Sequence, residues 1–359
     1  MTKILPKLPR LPELLDRKVY KTGMTRGASN REIFQNRVSR SSTVLIPWEV
    51  WEQCKRPNDD VGEYENGFIV LVNPEWYFTT SEADELLARE GLVLGENAVL
   101  LFQRPDQWEK YSLPENAPLP NGQPFKPPTS RTAPIGGTVI ARIHSTTSAN
   151  SKAIIWGFNE KNLRGAGIRV YEYASKKTVD KTQVQLEAYF WCSEGALEAV
   201  VAKGMNADDA RQRQSVVLES ARNEGLFDTA KLQNKRILDE SSMCICPLCL
   251  ERLRAEDFFK RESQAEGRET WDNTVTSISL FHIDELRMGS LQHKPYNLSW
   301  GHHHCNVVTK DVGIEPTLRW METILRRNRD SGWHNYGSNK VSVEVSTSDE
   351  ATETFSPDE

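Results

Sequence analysis

The chain has 359 residues, 26% of them charged, with 21 glycines, 18 prolines and a formal net charge of −5. That length allows two or three domains with a buried core, and these proportions exclude collagen-like and wholly disordered chains. No apolar run approaches the roughly 18 residues of a membrane helix, and the N-terminus lacks the basic-then-apolar pattern of a secretory signal, so a cytoplasmic location is expected.

In chain order, residues 1–40 hold ten lysines and arginines against Glu13, Asp16 and Glu32. This basic arm either follows a phosphate backbone, releasing counterions, or is a solvated terminus. Over 45–112, strand-like runs (Val44–Trp48 and Gly67–Val72) alternate with a predicted helix at Ser81–Glu90, whose N-cap is Ser81. Trp48, Trp51 and Trp76 offer a stacking surface for an extruded base or simple core packing, and packing is the preferred reading. Residues 113–137, rich in Pro, Gly, Asn and Ser, read as a linker or long loop. Four apolar runs follow, Thr138–His144, Ala153–Phe158, Gly167–Tyr173 and Gln183–Cys192, and predict an antiparallel sheet. The period then changes to helices at Ala196–Lys203, Ala207–Asn223 and Thr229–Asp239, with Gly204 and Gly225 as stops. A last amphipathic helix is expected at Pro316–Arg327, with Trp320 packed inward. The acidic, Ser/Thr-rich tail is expected to be disordered.

The six cysteines are unevenly placed: Cys54 and Cys192 stand alone, while Cys244, Cys246, Cys249 and Cys305 share one region. Such clustering favours a metal site in a reducing compartment over a disulfide framework. Cys246 and Cys249 are spaced so that one tight turn aims both sulfurs at one ion, and His302 and Cys305 repeat that gap. Together they make a tetrahedral Cys₃His set suited to structural Zn²⁺. His303 or His304 in place of His302, and Cys244 as a substitute thiolate, remain open alternatives.

Zinc alone makes a finger. Between and after the two pairs lie Leu280-Phe-His282-Ile-Asp284, then Tyr296-Asn297-Leu-Ser-Trp-Gly-His302-His303-His304-Cys305-Asn306-Val-Val-Thr-Lys310. The order of a CxxC pair, a strand ending in histidine, a loop asparagine and a Cys-Asn helix start resembles the HNH (ββα-metal) nucleases, most of all bacterial type II restriction endonucleases. The resemblance covers about seventy residues, near a fifth of the chain. It implies that His282 is the general base, that Asn297 tethers the loop and orients it, and that Asn306 holds a catalytic Mg²⁺. An imidazole, with an ordinary pKa of about 6.5, suits that base role near neutrality. Asn306 offers a hard carboxamide oxygen to Mg²⁺. Many relatives place a second metal ligand immediately before the catalytic histidine, where this chain has Phe281. Either the ion is held mainly by Asn306 and the DNA, or Asp284 or a spare histidine among His302–His304 supplies the ligand; a catalytically dead module is the remaining possibility. Lys294, Lys310 and Arg319 are expected to meet DNA phosphates.

The expected fold is therefore α+β. A mixed or β-rich DNA-recognition region with its basic arm spans 1–130, and a sheet with a helical connector spans 131–240. The zinc-braced HNH module occupies 241–330 and the acidic tail 331–359. The implied activity is site-specific double-strand DNA cleavage by a homodimer that works beside a cognate DNA methyltransferase. The rivals are a nuclease dependent on methylated or hydroxymethylated cytosine, a homing endonuclease, and a zinc-containing DNA-binding protein without activity.

Overall fold

The computed structural model describes residues 8–20, 43–57, 62–127, 136–142, 155–156, 168–260, 276–289, 293–310 and 312–332. Most of the basic arm and the tail after Gly332 lie outside them. The chain divides into two units after Ile314. Among the described residues no helix is long and apolar enough to cross a membrane.

The first unit opens with α1 (Glu13–Tyr20) and β1 (Val44–Pro47). A series of crossovers follows: α2 (Trp51–Cys54), β2 (Phe68–Val72), α3 (Pro74–Thr79), α4 (Ala83–Arg89), β3 (Ala98–Phe102), α5 (Pro105–Tyr111) and β4 (Val139–Arg142). Short strands β5 (Ile155–Trp156) and β6 (Ile168–Arg169) complete a six-stranded sheet in the order β5-β4-β3-β2-β1-β6. Every pairing is parallel except β4 with β5. The fold is thus mixed α/β with a largely parallel sheet, where α+β and an antiparallel sheet were expected. Strands β1–β3 carry continuous apolar runs, the pattern of strands buried on both faces. One face, with Val44, Ile46, Val70, Leu100 and Phe102, packs on Trp51, Tyr77, Leu87 and Trp108. Trp48 and Trp76 lie 5.2 Å apart against the same core, which bears out the packing reading of these tryptophans. The sheet draws strands from both sides of residue 130. The Pro-rich stretch before it packs down through Leu119 and Phe125 instead of hanging as a linker. Helix α4 begins at Ala83 with Glu82 at its N-cap, so Ser81 does not cap it.

A helical layer follows: α6 (Lys176–Trp191), α7 (Ala196–Ala202), α8 (Ala207–Asn223) and α9 (Thr229–Asn234). Gly204 and Gly225 take positive φ and stop α7 and α8 as expected. The run Gln183–Cys192, read as a strand, lies in α6. Its alternating Val184, Leu186, Ala188 and Phe190 mimic a period of two, but Gln185 through Trp191 are all buried, so no polar stripe marks the helix. Ser175 caps it by accepting from the Thr178 N–H.

α6 supports what comes next, a hairpin of β7 (Ile278–His282) and β8 (Leu298–His302), then α10 (His303–Thr309). The Trp300 indole N–H donates to Leu186 O at 2.8 Å, and Gln185 Oε1 accepts from Tyr296 N at 2.8 Å. Within the helical layer, buried Arg213 makes two bonds to Glu187, at 2.6 and 2.9 Å, while the Trp191 indole donates to the same carboxylate.

α1 is joined to this hairpin by Lys18, a member of the basic arm in the sequence reading. Its ammonium is fully buried and donates to Phe258 O, Thr276 Oγ1 and Ile278 O. Lys18 is therefore an internal tie and no phosphate contact, and burial pushes its pKa well below the ordinary value.

α11 (Ile314–Asp330) runs into the second unit. Trp320 on it is 57% exposed, against the expected inward packing, and Arg319 pairs with Glu315.

Candidate functional site

The loop carrying Cys246 and Cys249 is a tight knuckle. Leu250 turns it with positive φ, and its N–H donates to Cys246 O at 2.9 Å. Arg236 braces the turn from outside through Pro247 O at 2.7 Å and Leu248 O at 3.3 Å. β8 and α10 bring up the second pair, because His302 ends the strand and Cys305 lies in the first turn of the helix. Ligand atoms of Cys246, Cys249, His302 and Cys305 all lie within 4.8 Å of one another, and Cys249 Sγ is 3.3 Å from His302 Nδ1. Sulfur ligands about 2.3 Å from a tetrahedral ion would sit near 3.8 Å apart, so the set fits Zn²⁺. Burial, followed by the neighbouring Cys246 and Cys249, pushes the Cys305 thiol well above its usual range. A bound cation is what would hold such crowded sulfurs deprotonated. Cys244, His303 and His304 lie outside this group. Cys244 is buried, and burial raises its thiol as it raises Cys192 to about 11, which marks both as inert.

At the opposite end of the hairpin from His302, β7 carries its last residue, His282, half-buried. Alternation along the strand turns Phe281 the other way, fully buried against Gly301. Position 281 is thus a core position, which explains why no ligand stands there. Asn297 ties the exit of β7 to the entry of β8. Its Oδ1 accepts from Asp284 N at 2.6 Å, its Nδ2 reaches Asp284 O at 3.5 Å, and its own O accepts from Ile283 N at 3.0 Å. Asp284, expected to serve the catalytic ion, pairs with Lys235 through Oδ2 at 2.7 Å.

Asn306 lies half-buried on α10, a helix packed on both strands of the hairpin. Lys310 closes α10 with φ +51°, its N–H on Asn306 O at 2.7 Å. Lys294 is exposed in the loop ahead of β8. His293 stands beside Lys294 in that loop, where phosphate contact and an ordinary polar loop are equal readings of the sequence. It is buried, with its Nδ1 3.4 Å from His282 Nε2. Such pairings across a loop leave no trace in local spacing.

These elements define a mixed α/β protein whose hairpin carries a histidine at its loop end and a thiol–imidazole cluster at its other end. The chain belongs to the BstXI restriction endonuclease family, whose model matches residues 17–303. The matched span includes His282, Asn297 and His302, while Cys305 and Asn306 fall just beyond it. Among solved structures, the chain is similar to one described as the crystal structure of a type II restriction endonuclease. The two are 15% identical with a TM-score of 0.27, over 44% of this chain and 57% of that chain. No curated protein matches the chain.

Proposed function

We propose that the protein is a site-specific endonuclease that hydrolyses both strands of duplex DNA, with His282 as general base in an HNH-type pocket at 241–330. The observation that carries this reading is the β7–β8–α10 unit, with His282 at the end of its first strand, Asn297 pinning its loop and the four-ligand cluster at its foot. Membership of a restriction endonuclease family supplies the substrate class.

His282 takes the proton of the attacking water. Asn297 holds the backbone on which His282 is mounted. Zn²⁺ in the Cys246, Cys249, His302 and Cys305 set supplies rigidity. Asn306 is the hard donor on α10 suited to Mg²⁺, which supplies charge neutralisation at the scissile phosphate and the leaving 3′ oxygen. With Asp284 engaged by Lys235, phosphate oxygens and water complete that donor set. Lys294, Lys310 and Arg319 grip flanking phosphates. Residues 1–130 read the sequence, two copies meet a symmetric site, and a companion methyltransferase protects the cell's own DNA in the cytoplasm.

Purified protein with Mg²⁺ is expected to cut unmethylated phage DNA into discrete fragments with constant ends. His282→Ala should slow cutting by about 10²- to 10⁴-fold while band shifts in EDTA persist. Full cutting by that variant overturns the base assignment. Cutting confined to methylated DNA makes the enzyme modification-dependent, and stable shifts without strand breaks make it a binding protein.

A further inference from the structure

We propose that His293 is a positioning residue for the general base, holding the His282 ring so that its Nδ1 lone pair takes the water's proton. The inference rests on the reading of His282 as base. The two rings stand 5.6 Å apart between centroids, tilted by 50°, with His282 Nε2 3.4 Å from His293 Nδ1. His293 is 2% exposed. An imidazole is a costly way to fill apolar space, where an aliphatic residue would serve better, so its burial beside this ring calls for a polar task.

The loop that carries His293 is well anchored. Two residues on from Lys294, the Tyr296 N–H donates to Gln185 Oε1 at 2.8 Å, its hydroxyl donates to Gly225 O at 2.7 Å, and Lys231 Nζ lies 3.8 Å from its ring centre. His293 is thus presented by a loop fixed on the helical layer through Tyr296 and on the exit of β7 through Asn297. That is the mounting a positioning residue needs.

A proton bridging the two facing nitrogens belongs to one ring or the other, and its side decides whether His282 is competent. If His293 Nδ1 donates, His282 carries its own proton on Nδ1 and has no lone pair there for water. If His282 Nε2 donates, Nδ1 keeps its lone pair, and the ring is locked in the working tautomer. In the reaction, a water O–H bond breaks and its proton forms a bond to Nδ1. The oxygen pair attacks phosphorus, the P–O3′ bond breaks with its electrons going to O3′, and solvent protonates that oxygen. His282 is then an imidazolium whose Nε2–H points at His293 Nδ1, a charge-assisted bond stronger than the neutral one before it. At 3.4 Å the contact is long for a hydrogen bond, as catalytic pairs often are before substrate tightens them.

The test compares full-length wild type with His293→Leu and His293→Asn, two side chains of one shape, of which asparagine alone keeps an acceptor at the Nδ1 position. The substrate is a phage DNA that wild type cuts, in single turnover with Mg²⁺. His293→Leu is expected to cut about 10- to 100-fold more slowly with unchanged DNA binding in EDTA, and His293→Asn to recover most of that loss. If the leucine variant does not fold, His293→Phe carries the same comparison. Wild-type cutting by the acceptor-free variant overturns the proposal. So does equal slowing of both variants, which reports shape alone, or rescue by excess Mg²⁺, which makes His293 a partner of the ion. His282→Ala is run alongside. If it still cuts, the base assignment has failed, separately from anything His293 does.

Discussion

At the scale of single residues, the hairpin depends on one missing methyl group. A Cβ on Gly301 would stand 2.6 Å from Cδ2 of the Phe281 ring, which is fully buried and cannot yield. Gly301→Ala is expected to cost roughly 1–3 kcal/mol, read as a lower thermal midpoint. Asp239 makes a second case. Burial opposes its ionisation, but the N–H groups of Met243 and Ser241 and the Arg252 guanidinium outweigh that and hold its carboxyl below the ordinary value. A depressed folded pKa contributes stability that is present above the unfolded value and lost as pH falls through the folded one. Wild type should therefore be more stable than Asp239→Asn at pH 7 in urea titrations, with the gap closing below pH 3.8, the ordinary value of the group. A gap that stays constant into acid removes the linkage. The four cluster ligands were legible as neighbours because each pair repeats a short local spacing. Lys235 opposite Asp284, and His293 opposite His282, meet through folding alone. Sequence spacing says nothing about such partners.

At the scale of elements, the misread segments share one cause. The second half of α6, from Gln185 to Trp191, is buried all round, so its helical period has no polar face there to display it. The parallel order of β1 to β4 was hidden because short apolar runs look alike in either sheet type, and only the helices between them distinguish the two. The helices α7 and α8 and the strands β1 and β2 were legible, having caps, glycine stops or bounding turns. The cluster beneath the hairpin also acts between elements. Cys249 and His302 are 53 residues apart, and closing a loop of that length by a cross-link removes about 4 kcal/mol of chain entropy from the unfolded state. Metal analysis is expected to find one zinc per chain. A strong chelator or Cys249→Ser should lower the melting temperature and open the hairpin to protease. Cys244→Ser should keep its zinc, because Cys244 lies outside the group. Loss of zinc in that variant would redraw the ligand set.

At the scale of the whole molecule, a net charge of −5 sits poorly with a DNA substrate unless the field is local. On the proposed function, Lys310, exposed at the end of α10, makes such a contact. Lys310→Ala is expected to weaken binding across all sequences alike and to reduce the slope of log affinity against log salt by about one. An unchanged slope would put Lys310 away from the backbone.

The tie made by Lys18 reaches furthest along the chain, to partners 240 to 260 residues away. A ribosome delivers α1 long before the first strand of the hairpin, so Lys18 waits for 260 residues of synthesis before its last acceptor emerges. Copies that stop before Thr276 therefore leave this ammonium without two of its three acceptors. On the proposed function, such unfinished copies, which also lack His282, cannot cut the DNA that encodes them.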